Sequence, residues 1–135
     1  MSEPGSASPL SLAERIEAIE QAYELMLAYA AQGRQNDVDD SSSIRRFLQR
    51  ADAALNGLAD SMRESVAARA DAYTDFITVV EQDARHTRAA LRLVLAQKAL
   101  SSQLIDSLNA SIHIRALLTD IFLIDETLKG IDGDG

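Results

Sequence analysis

From Leu12 the chain places apolar side chains at Ile16, Ile19, Tyr23, Met26 and Ala30, in steps of four and three that keep one face of an α-helix apolar. Ser11-Leu12-Ala13-Glu14 just ahead of this series has capping-box spacing: the Ser11 hydroxyl accepts from the Glu14 amide, and the Glu14 carboxylate accepts from the Ser11 amide. The spacing predicts a first helix from about Leu12, closed at Gly33, whose missing side chain suits a helix C-terminus. Asn36 to Ser43 has no periodicity and is rich in residues that bond their own backbone. A loop over about 34–42 and a second helix from near Ser42 are expected.

Beyond this loop Ile44, Leu48, Leu55, Met62, Val66, Tyr73, Ile77, Val80, Leu91 and Val94 fall close to one line on a straight helix. Gly57 is the only glycine between Gly33 and Gly130, and the stretch has no proline, so the usual punctuation between helices is missing. Two architectures fit. Residues 43–129 form one or two very long helices, or the chain turns back at weak breaks, for which Asn56-Gly57, Arg69–Ala72 and Ser101–Ser111 are candidates. A helix of about 60 residues lies far out on the length distribution, which favours turning back near 70 and within 101–111. The expected fold is all-α, an antiparallel bundle of three or four long amphipathic helices over residues 11–129, with a tail at 1–10 and another at 130–135.

The C-terminal segment carries more apolar residues than one helix face can hold, with Leu117, Ile121, Phe122 and Ile124 among them. Leu93, Leu100 and Leu104 likewise lie across the helix from Leu91, Leu95 and Ile105. Each such side chain needs burial at about 1.5–3 kcal/mol, and 135 residues offer limited cover. Surface shared between two copies answers this, so a homodimer is expected.

Composition narrows the function. There is no cysteine, which removes thiolate chemistry, zinc–cysteine sites and disulfides. The net charge of −8 repels a phosphate backbone, so nucleic acid is not expected as a partner. No stretch is long and apolar enough to span a membrane, and the start lacks the layout of a signal peptide, so a cytoplasmic protein is expected. The charge is uneven: residues 1–40 hold eight acids and two bases, residues 41–98 seven acids and nine bases. The acid-free run from Arg85 through Arg88 and Arg92 to Lys98 suits an acidic partner or a phosphate, or else pairs within the fold with Glu17, Glu20 and Glu24 of the first helix.

Candidate chemistry is sparse. His113 sits in the densest apolar run and is expected to be buried, whereas His86 projects away from the apolar line and is expected to be exposed. Asp83-x-x-His86 is half of the spacing used by di-iron helical proteins, but no acid stands three residues before His113. No metal or cofactor is expected. In His86-Thr87 the chain resembles histidine-containing phosphotransfer domains, and that resemblance implies a phosphoryl-accepting His86. It departs from the family three and four residues later, where Ala89 and Ala90 replace the lysine and glycine. The functional expectation is a non-enzymatic protein-interaction module, an adaptor, regulator or chaperone-like binder. It would meet its partner through Arg85, Arg88, Arg92 and the apolar Leu117, Ile121, Phe122 and Ile124; phosphotransfer through His86 is the alternative.

Overall fold

The computed structural model describes residues 10–32, 41–66 and 71–134. Helix α1 (Leu12–Ala31) starts at the capping box: the Glu14 amide donates to Ser11 Oγ at 3.1 Å and the Ser11 amide to Glu14 Oε1 at 2.9 Å. It closes at Gln32; the expected cap at Gly33, the loop at 34–40 and the tail at 1–9 lie outside the described residues. Among the described residues five more helices follow: α2 (Ser41–Leu55), α3 (Leu58–Val66), α4 (Asp71–Leu95), α5 (Ser102–Asn109) and α6 (Ile112–Asp134). The described residues contain no strand.

The chain turns back on itself, which overturns one unbroken helix over 43–129, and it does so more often than three or four helices require. The turn at Asn56-Gly57 is a real break, with Gly57 at a φ of +98°, where side chains are strained. α3 ends at Val66 and α4 starts at Asp71; the expected break near 70 lies outside the described residues. Serines then start the last two helices. Ser101 Oγ accepts from the Leu104 amide at 3.1 Å, and Ser111 Oγ accepts from the Ile114 amide at 3.4 Å. Gly130 does not end α6, consistent with a cost of only about 1 kcal/mol for one glycine within a helix.

Two arginines satisfy carbonyls at helix ends. Buried Arg15 of α1 donates through Nη1 to the carbonyls of Ala54 (2.9 Å) and Asn56 (2.7 Å), at the end of α2, and through Nε to Ser61 Oγ of α3 (3.0 Å). Arg45 of α2 does the same for α4, donating to the carbonyls of Leu95, Gln97 and Lys98. Helix C-termini carry orphan carbonyls and partial negative charge, so a guanidinium satisfies both needs.

Buried side chains from all six helices form one hydrophobic cluster, with Ile44, Leu58, Ile77, Ile105 and Leu117 among its most enclosed members. α1 packs chiefly on α2 and α5. α4 is the shared neighbour of α2, α3, α5 and α6, while α6 leans mainly on α4. α4 and α6 run in opposite directions along their contact. Tyr73 and Phe76 share a groove with Leu123, Ile124 and Thr127; Asp83 meets Asp120; and the Thr87 hydroxyl donates to the His113 carbonyl at 3.1 Å.

Candidate functional site

The two flanks of α4 carry different chemistry. On one flank Arg85, Arg88 and Arg92, spaced by three and four residues, form a wall of a cleft of about 370 Å³ facing the α2–α3 turn. Asp52 of α2 reaches into this wall, its Oδ1 2.8 Å from Arg88 Nε and its Oδ2 3.7 Å from Arg92 Nε. The basic run therefore pairs with Asp52 and not with the α1 glutamates, because α4 lies against α2 and α3 rather than α1 on this side. Arg63 of α3 binds the two acids that line the cleft, Asp60 at 3.0 Å and Glu81 at 2.8 Å. Its hydrogen bond and charge hold the Glu81 carboxyl below the usual carboxylate range. Arg85 is exposed and makes no hydrogen bond among the described residues.

On the other flank α4 meets α6 through a polar centre. Asp120 is 7% exposed, and its Oδ2 has no hydrogen-bond partner. Burial first, and then the hydrogen bond and charge of Asp83 beside it, push the Asp120 carboxyl up to about 7. Asp120 therefore keeps its proton well above the usual carboxylate range, with Asp83 beside it. One turn along, the rings of His86 and His113 meet edge to face with centroids 5.6 Å apart.

His86 is exposed, as expected, but so is His113, which corrects the expectation that it is buried. The apolar line of α6 runs Ile114, Leu117, Ile121, Ile124, and residue 113 falls beside it, at the open edge of the α4–α6 contact. His86 has Asp83 and His113 for neighbours, whereas Arg85 and Arg88 face the α2–α3 cleft. Arg85 and Arg88 thus line the cleft on the other flank of α4, and the ring beside His86 is that of His113. Among the described residues no three His, Asp or Glu side chains come together as a metal-holding group.

The four apolar residues expected at an interface divide. Leu117, Ile121 and Ile124 are buried in the core, at 1–3% exposure, whereas Phe122 is 68% exposed. Counting apolar residues along α6 shows that some must lie outside; it does not show which. The outward set includes Ile112 (72%) and Leu123 (51%) of α6, with Val79 and Leu93 (68%) of α4. Val79, His86 and Leu93 repeat at seven residues and so share one side of α4. Between them the helices enclose an apolar groove of about 340 Å³, lined by Ala72, Tyr73, Phe76, Leu123, Ile124 and Thr127.

Arg15, Asp52 and Asp120 were not singled out from the sequence. The available signals are that Asp120 sits inside an apolar run and that Arg15, three residues after Leu12 and four before Ile19, falls on the apolar face of its helix. Compared with family models, curated proteins and solved structures, the chain matches none.

Proposed function

We propose that this chain is a non-enzymatic protein-interaction module whose contact surface is the outer face of α4 and α6, and that this face takes up an amphipathic helix from another protein. The observation that carries this reading is the gathering of Val79, Leu93, Ile112 and Leu123, all exposed, on two adjacent helices. Large apolar side chains grouped on one face cost solubility and are a mark of contact surfaces. The groove between the helices gives such a partner a place to insert side chains at helical spacing.

Charge selects the partner. Asp75, one turn before Val79, and Glu126, one turn after Leu123, are exposed acids beside the groove. A second copy would bring the same acids, on a chain already at −8, so a basic amphipathic helix suits the face better than self-association.

The test is fluorescence anisotropy with a panel of basic amphipathic helical peptides and a matched acidic panel carrying the same apolar stripe. Wild type is expected to bind the basic panel and the double variant Leu93→Glu/Leu123→Glu to lose it while keeping its helical circular dichroism. Sedimentation of the unliganded chain supplies the counter-test. A two-chain mass that the double variant reduces to one would give the face to a second copy instead.

A further inference from the structure

We propose that the cleft between α4 and the α2–α3 turn is a binding site for a small dianion of the phosphate class, held by Arg85 and Arg92. This is independent of the proposed protein-binding face, which lies on the opposite flank of α4.

Space comes first. The cleft of about 370 Å³ stays open because the residues facing it across the α3–α4 contact are small: Gly57 and Ala59 on one side, Ala84 and Ala89 on the other. Gly57 is confined to that size by its φ of +98° and by Arg15, whose Nη2 would lie 3.2 Å from an added Cβ.

Charge comes second. Asp52 locks Arg88, which is only 24% exposed, and so fixes the centre of the wall. Arg92 is different: its Nε stands 3.7 Å from the same carboxylate with 63% of the side chain exposed, a loose contact that an incoming anion displaces. Arg85, seven residues earlier on the same side of the helix, has no hydrogen bond to give up. The acids Asp60 and Glu81 are hydrogen-bonded to Arg63, and Arg85, four residues after Glu81, acts on that carboxylate through its charge alone. Four guanidinium groups therefore stand against three carboxylates, a local positive excess on a chain whose net charge is −8.

Geometry comes third. Arg85 and Arg92 are two turns apart, about 10 Å along the axis. Their long side chains can close on one small ion from both sides above Arg88. A phosphate monoester has three terminal oxygens and inorganic phosphate four, so either can meet two guanidinium forks at once, whereas a carboxylate has two oxygens and is filled by one. Arg85, Arg88 and Arg92 carry like charges on one wall and repel one another, and a dianion between them relieves that repulsion.

The source of the phosphate group is decided by titrating the full chain, at low ionic strength, with inorganic phosphate and with phenyl phosphate, followed by amide chemical shifts and by melting temperature. Saturable shifts confined to the cleft are expected in the millimolar range or tighter. Arg85→Gln/Arg92→Gln should weaken binding at least tenfold with an unchanged melting temperature in the absence of ligand. Ala89→Leu, an exposed helix position whose larger side chain fills the cleft, should weaken it without touching a charge. Equal affinity for the two probes would assign the site to free phosphate, and tighter binding of the ester to a phosphorylated organic ligand. Absence of saturable shifts with either probe, or binding that survives both variants, overturns the proposal.

Discussion

The buried Asp120 carboxyl at the α4–α6 contact makes stability depend on pH in a calculable way. Asp120 rises from an ordinary value of 3.8 to about 7 in the folded chain, because burial and the neighbouring Asp83 both penalise its charge. The folded state thus holds a proton that the unfolded state releases. For a group raised on folding, the stabilisation is complete below the unfolded value and is lost as pH climbs through the folded one. At 1.36 kcal/mol for each tenfold change in proton affinity, about 4 kcal/mol is withdrawn between roughly pH 4 and pH 7, as an upper bound. Asp120→Asn removes the ionisation, keeps the shape and places an amide N–H beside the Asp83 carboxylate at every pH. In urea titrations at pH 8 the variant should be more stable than wild type by about 2–4 kcal/mol, which for 135 residues is roughly a 10 °C rise in melting temperature. At pH 4 the two proteins should differ little. The other ionisable side chains nearby, Asp83, His86 and His113, are present in both proteins. Asp83→Asn should shrink the pH dependence without abolishing it, since burial is the larger cause. Equal stabilities at pH 8, or a difference that does not grow between pH 4 and pH 7, would refute the raised proton affinity of Asp120.

Other consequences are read by the same denaturant titrations. Gly57→Ala should cost about 1–2 kcal/mol, because the +98° φ is unfavourable for a side chain and the new methyl meets Arg15. Arg15→Met should cost about 2–4 kcal/mol by leaving the Ala54 and Asn56 carbonyls without their charged donor; a loss under 0.5 kcal/mol would show that water replaces it. Leu117→Ala should cost about 2–5 kcal/mol through the cavity it opens, whereas Phe122→Ala, five residues along the same helix, should stay within about 0.5 kcal/mol. Similar losses at both positions would mean that Phe122 is covered in solution.

Much of the fold was legible locally. The capping box at Ser11 and Glu14 is a four-residue signal that needs no tertiary partner, and the apolar repeat from Leu12 to Ala30 follows from the 3.6-residue turn of the helix. All-helical character followed from that same period running through the rest of the chain. The breaks were harder, since serines at 101 and 111 start helices only weakly and Asn56-Gly57 interrupts a pattern that otherwise continues in phase. The polar centre at Asp83, His86, His113 and Asp120 was half visible: the first two share a turn of α4, but nothing local shows that α6 approaches with His113 and Asp120.

Hydrophobic period and helix capping depend on residues within a turn or two of one another, so the sequence alone determined that the chain is helical, where α1 begins, and that the C-terminal segment has apolar surface to spare. Tertiary structure decided which of those apolar side chains face inward, Leu117, Ile121 and Ile124 against Phe122 and Leu123, because the answer depends on where α4 lies relative to α6. It also decided that Arg88 meets Asp52 from 36 residues away, that Arg15 caps a helix 39 residues downstream, and that Asp83 raises the proton affinity of Asp120. Electrostatics and burial are set by neighbours in space, and a linear chain does not record them.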